Sequence, residues 1–217
     1  MTKIFLTTLF LVLNLYSKDI KMEEIDKFIR LDSKCGRCPL DITSKNRVHG
    51  RGNLQNLQLG EDRIIFLGEA PGKEEDEQGI PFVGRSGKCL DTVLATLDID
   101  RKNHWTTNTI CCRPPYNNYN HIDSKIARSL CLNGFYEEIK YLKDFNYTKI
   151  IAMGNNVCNF LNIDPIKFSN GEKYFLMGYK VFPVYHPSYL IRNIGNNYKD
   201  HPMILSWRDT LDRAIKE

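Results

Sequence analysis

The stretch that most constrains this chain runs from Leu67 to Gly87, LGEAPGKEEDEQGIPFVGRSG, and it directly continues the apolar run Arg63-Ile64-Ile65-Phe66-Leu67. β-Branched and aromatic residues in so short a run predict a buried strand. Gly68 and Gly72 bracket Glu69-Ala70-Pro71, so the backbone can turn sharply there and approach a ligand with no side chain between. Five acidic residues, Glu69, Glu74, Glu75, Asp76 and Glu77, crowd the same loop. Acids serve anion capture poorly, and chemistry is the better reading. Beyond them Pro81-Phe82-Val83-Gly84 sets one aromatic ring between a rigid residue and a flexible one, and an apolar-periodic helix is predicted from near Ser86.

Three further runs read as strands: Trp105 to Cys111, Lys149 to Met153, and Tyr179 to Tyr185. Between and after them lie helical patterns: Asp123 to Lys143 with Ile126, Leu130, Ile139 and Leu142 as apolar positions, a helix from Asn156 to Leu161, and a packing helix from Pro202 to Lys216. A chain of 217 residues that is 42% hydrophobic can bury one sizeable core. The formal charge of +4 is compatible with a basic groove for nucleic acid without demanding one. The run Ile4 to Leu15 is too short for an ordinary membrane span, and no small-residue cleavage site follows it. Met22 opens an amphipathic helix with Ile25, Phe28, Ile29 and Leu31 on one side. Residues 1–21 are therefore expected to be an extension or the product of an upstream start codon, with a single domain over 22–217. Arg47 to Gly52 reads as a solvated basic loop, and Tyr119 and His121, in the Pro- and Asn-rich stretch 113–122, read as surface groups.

Seven cysteines occur, at 35, 38, 89, 111, 112, 131 and 158. Cys35-Gly-Arg-Cys38 has the spacing that aims two thiolates at one point, which suits a cluster, a redox pair or half of a zinc site. Cys89 and Cys158 sit in apolar helical patterns and read as small core residues.

The ordered set GEAPG, an acidic pair, GIPFVGRSG, Thr107-Asn108, Cys112-Arg113-Pro114-Pro115 and His186-Pro187-Ser188 closely resembles the motifs of the family 4 uracil-DNA glycosylases, the iron-sulfur branch of that superfamily. It spans about Ile25 to the C-terminus. The resemblance implies a three-layer α/β/α fold around a central four-stranded parallel sheet. It also implies a DNA-repair hydrolase that flips uracil out of DNA and cleaves its N-glycosidic bond. Cys35, Cys38, Cys112 and Cys131 correspond to the ligands of a 4Fe-4S cluster, with zinc as the alternative for four thiols.

In that reading Phe82 stacks on the extruded base, Asn108 reads it and His186 donates a hydrogen bond toward O2. An Asn offers an acceptor and a donor side by side, which complements N3-H and O4 of uracil and mismatches cytosine; a purely structural hydrogen bond is the plainer use of such a residue. Ala70 stands where many related glycosylases carry an Asp, which leaves Glu69 and Glu75 as candidates for orienting water or stabilising the sugar cation. Glu75 could instead exclude the methyl of thymine. Leu190 or Ile191 is expected to wedge into DNA while Arg192 meets phosphate. The expected partner is uracil-containing DNA, single- or double-stranded, bound by a cytoplasmic monomer with no membrane association. Two other functions fit the same motifs: a catalytically silent DNA-binding relative serving replication, and a glycosylase for another deaminated base. The presence of Glu69, Phe82, Asn108 and His186 speaks against the silent relative, and Glu75 and Asn108 favour uracil over another base.

Overall fold

A strand that is apolar at successive positions needs cover on both of its faces, and the central strands here receive it. The computed structural model describes residue 35 and residues 38–54, 62–164, 173–194 and 201–217. The predicted helix from Met22 and the apolar run Ile4 to Leu15 lie outside the described residues.

The strands are β1 (Arg51–Gly52), β2 (Arg63–Gly68), β3 (Trp105–Asn108), β4 (Tyr147–Met153), β5 (Tyr174–Leu176) and β6 (Tyr179–Val184). They form one six-stranded sheet in the order β1-β3-β2-β4-β6-β5. The four central strands are parallel, as expected, while β1 and β5 pair antiparallel at the two edges. Those edge strands are two and three residues long, too short to carry a hydrophobic pattern.

Helices α1 (Pro39–Thr43), α2 (Lys73–Gln78), α3 (Arg85–Ala95), α4 (Ile122–Leu142), α5 (Asn155–Leu161), α6 (Pro187–Ile194) and α7 (Pro202–Lys216) complete the architecture. Alternate residues of β2 point to opposite layers. Ile65 and Leu67 join Phe135, Ile139 and Leu142 of α4 and Val157 of α5, whereas Ile64 and Phe66 join Leu90 and Leu94 of α3, Leu190 of α6 and Trp207 of α7. This is the three-layer arrangement. A third, smaller cluster of Leu40, Ile110, Cys112, Tyr119 and Ala127 lies between α1, α4 and the segment after β3.

Helix α4 begins one residue earlier than its sequence suggests, because Nδ1 of His121 accepts the amide hydrogen of Asp123 and caps it. Its buried face also differs. Ile126 and Leu130 are 41% and 39% exposed, and Ala127, Phe135, Ile139 and Leu142 are inside.

Candidate active site

All four parallel strands end at one edge of the sheet, and in such folds the crevice beyond the carboxyl ends is where ligands bind. Gly68, the last residue of β2, lies opposite Asn108, the last residue of β3. A β-carbon on Gly68 would stand 2.5 Å from both Oδ1 of Asn108 and Cζ of Phe82. Glycine is therefore what lets the amide and the ring approach the strand end. Gly154, after β4, has φ +96°, and a β-carbon there would meet Glu69 Oε1 at 2.9 Å and His186 Cβ at 3.1 Å. Phe82, Asn108 and His186 consequently line one cavity of about 390 Å³, together with Glu69, Ala70 and Glu75.

The acidic loop is more ordered than a run of charges suggests. Its central residues form α2, capped by Gly72 at its start and by the left-handed Gly79 at its end. Glu75 is buried, with Oε2 accepting from the Gly72 amide at 3.1 Å and Oε1 from the Gly84 amide at 2.7 Å. One carboxylate thus ties the entry of the loop to its exit. Asp76, also buried, accepts from the amides of Lys45 and Asn46 at 2.9 and 3.0 Å and pins the segment that follows the CxxC pair. Phe82 adopts φ +55°, a region that a bulky residue enters only when its surroundings hold it there. Arg101 supplies part of that hold. It donates to the Phe82 carbonyl at 3.1 Å, is clamped by both carboxylate oxygens of Asp91 at 2.5 and 2.9 Å, and lies 5.9 Å from the ring centre.

His186 leaves β6 through Tyr185, and its Nδ1 accepts the Ser188 amide hydrogen at 3.1 Å, with Ser188 Oγ at 2.8 Å. A backbone amide can only donate, so this bond assigns the imidazole proton to Nε2. Burial, and then the charge of Arg192, hold its pKa down at about 4, so the ring is neutral at pH 7. It sits 6.1 Å from Phe82, centre to centre, at 42°. Burial pushes the Glu69 carboxyl above the usual range, against a hydrogen bond from Asn156 and the charge of Arg192. Asn108 is 2% exposed.

Tyr119 is not a surface group. It is 6% exposed, lines the cavity, and its hydroxyl is 2.6 Å from Thr109 Oγ1, which in turn donates to the Glu69 carbonyl. A tyrosine in a Pro- and Asn-rich loop gives no periodic signal of burial.

The segment after His186 also differs from expectation. Leu190 is fully buried and Ile191 is 7% exposed, both packed in the α3/α6/α7 layer. Both side chains point into the core, because Leu190, Ile191 and Ile194 form the apolar stripe that seats α6. Arg192 is exposed at the cavity, donating to Ser188 Oγ at 3.2 Å, and Tyr189 is 39% exposed.

Cys38 and Cys131 pack against the small cluster that contains Cys112. All seven cysteines are free of disulfides. Burial pushes the Cys112 thiol up to about 12, and Cys111, Cys131 and Cys38 add to the rise; a thiol so placed ionises only against a cation. Among the described residues, no group of three or more His, Cys, Asp or Glu side chains is arranged to hold a metal ion. Among them, too, no helix is long and apolar enough to cross a membrane.

The family model of the uracil DNA glycosylase superfamily matches residues 55–209. A type-4 uracil-DNA glycosylase of Thermotoga maritima is 33% identical over 189 residues, covering 85% of this chain and 91% of that protein. The type-4 uracil-DNA glycosylase of Archaeoglobus fulgidus is 32% identical over 177 residues, 77% of this chain and 83% of its own. That of Pyrobaculum aerophilum is 37% identical over 131 residues, 60% and 61% of the two chains.

Proposed function

Because this chain belongs to the uracil-DNA glycosylase superfamily, we propose that it is a DNA-repair hydrolase that cleaves the N-glycosidic bond of uracil in DNA and leaves an abasic site. The observation that carries the reading is the convergence of Phe82, Asn108 and His186 on one cavity at the carboxyl edge of the sheet. A base within a duplex presents neither its glycosidic bond nor its full Watson-Crick edge, so the nucleotide is extruded into the cavity first. The Phe82 ring stacks on it, and the Asn108 amide pairs with N3-H and O4. Cytosine reverses donor and acceptor at those positions, at about 1–3 kcal/mol for each buried group left unpaired.

Bond cleavage separates a cationic sugar from a uracil anion. The neutral imidazole of His186, with its proton on Nε2, donates to O2 as negative charge gathers there. Single donors of this kind are worth roughly 2.7–4 kcal/mol. Of the two candidate carboxylates, Glu69 is the one assigned to the water or the sugar cation, since both oxygens of Glu75 already accept backbone hydrogens. Glu75 then serves to keep the loop, and with it Phe82, in place. Arg192, at the rim, meets a phosphate of the bound strand.

The four thiols of Cys35, Cys38, Cys112 and Cys131 fit a 4Fe-4S cluster, a soft donor set without carboxylate or imidazole. The support is the gathering of Cys38, Cys112 and Cys131 at one small hydrophobic cluster. When bound, the cluster would cross-link the N-terminal segment through Cys35 and Cys38 to the turn after β3 through Cys112. Iron and acid-labile sulfide analysis of anaerobically purified protein, with Cys112→Ser as the comparison, tests this without reference to activity.

The function itself is tested by incubating the protein with single- and double-stranded oligonucleotides carrying uracil, hypoxanthine or xanthine, followed by alkaline cleavage. Strand scission at uracil alone is expected. Scission at none of the three overturns the reading, and scission only at a purine lesion reassigns the substrate.

A further inference from the structure

A second cavity, of about 440 Å³, adjoins the base pocket and shares Glu69, His186, Ser188 and Arg192 with it. It is lined by Tyr185, the residue before His186, and by Tyr189 in the first turn of α6. The two rings stack nearly parallel, 5.0 Å apart at 17°, while remaining 41% and 39% exposed. Their backbones are fixed from three sides: Trp207 Nε1 donates to the Tyr185 carbonyl at 3.0 Å, the Tyr189 amide donates to the His186 carbonyl at 2.9 Å, and Asn193 Nδ2 donates to the Tyr189 carbonyl at 2.6 Å. Packing does not account for the pair, since Leu190 and Ile191 seat the same helix. A rigid, half-exposed aromatic surface beside a cation is how proteins hold single-stranded nucleic acid, because every base offers a π face. Rings already ordered lose little freedom on binding.

We propose that Tyr185 and Tyr189 form a stacking platform for the nucleobase next to the flipped uridine on the same strand, with Arg192 meeting the phosphate between the two nucleotides. The proposal rests on the glycosylase reading. It places the exposed aromatic residue outside the helical stack of the DNA, as a shelf for an unpaired neighbour, rather than inside it as a wedge.

The test compares KM for single-stranded uracil oligonucleotides with intact neighbours against oligonucleotides whose neighbouring nucleotide, on one side and then the other, is a base-less tetrahydrofuran residue. For the unaltered protein, removing the base on one side should raise KM roughly 5- to 150-fold, the range for one stacked base. In Tyr189→Ala that ratio should collapse toward one, whereas Tyr189→Phe should keep it; Tyr185→Ala provides the second variant, and thermal melting of each checks folding. A ratio unchanged in both alanine variants overturns the platform while leaving the glycosylase standing. An effect of Tyr189→Ala confined to duplex substrate also overturns it, in favour of a wedge. Failure of the unaltered protein to excise uracil at all instead breaks the glycosylase reading on which the platform depends.

Discussion

The two halves of the base pocket are held by different means. Asn108 and His186 sit at or just beyond strand ends, where ladder register and two buried faces fix the backbone. Phe82 sits in a loop, in a left-handed conformation, and its place depends on charged side chains bonded to backbone: Glu75 on the Gly72 and Gly84 amides, Arg101 on the Phe82 carbonyl. Chemistry can thus be removed from the strand-held half without disturbing the fold. In the loop-held half, position and stability are the same interactions. The acidic crowding of the loop therefore includes two clasps, Glu75 and Asp76, besides Glu69 at the cavity.

The largest effects are expected on the strand side. His186→Ala and Asn108→Ala should each lower kcat for uracil excision by about 10²–10³-fold, the loss typical of a single donor at a developing oxyanion. Melting temperature should fall by less than in the loop-side variants, since the one backbone group His186 binds, the Ser188 amide in the first turn of α6, loses only a neutral acceptor. A variant that melted early and retained its rate would erase the distinction between the halves.

Glu75→Ala comes next and should behave in the opposite way. It strips the buried Gly84 amide and the half-buried Gly72 amide of a charged acceptor, costing roughly 3 kcal/mol, and in a chain of this size that lowers the melting temperature by about 10 °C. Glu75→Gln keeps one acceptor and should recover about half. Arg101→Ala is smaller again. The Asp91 carboxylate and the Phe82 carbonyl lose their shared donor, so the ring wanders and KM should rise about fivefold, the equivalent of roughly 1 kcal/mol. Lys at 101 should not rescue it, because a single ammonium cannot reproduce the forked bond to Asp91. A fall in kcat alone would place Arg101 outside the support of the stacking ring.

How much of this the sequence carries follows the same division. The central strands were legible because a strand covered on both faces is apolar at successive positions, as Ile64 to Leu67 and Ile150 to Met153 are. The motifs placed Asn108 and His186 at strand ends and Phe82 in the loop beyond β2. Edge strands of two and three residues leave no pattern. Helix α2, Lys-Glu-Glu-Asp-Glu-Gln, has no apolar face at all, and forms because Glu75 and the flanking glycines cap it. Tyr119 is buried against Leu40, Ile110 and Ala127 with its hydroxyl on Thr109, long-range contacts that no local pattern encodes. Leu190 and Ile191, read as candidates for the wedge into DNA, were in fact announced as packing residues by their phase with Ile194.

The last expected effect concerns pH and separates the histidines of the site and the core. Burial holds both His186 and His104 at about 4, below the ordinary 6.5. Each is neutral in the fold and takes up a proton on unfolding at lower pH, so its contribution to stability is complete above about pH 6.5. It is lost as pH falls from there toward 4, by at most about 1.4 kcal/mol per pH unit for each group. Glu69 acts in the reverse sense, its raised pKa contributing stability below the unfolded value and losing it as pH rises through the folded one. Urea unfolding of the unaltered protein and of His186→Asn at pH 7 and pH 5 isolates one histidine from this mixture. The variant should lose less stability between the two pH values, and the excision rate of the unaltered protein should show no break near 6.5. A break there would mean that His186 titrates as an exposed imidazole, and the strand-held half of the pocket would then be as open to solvent as the loop is not.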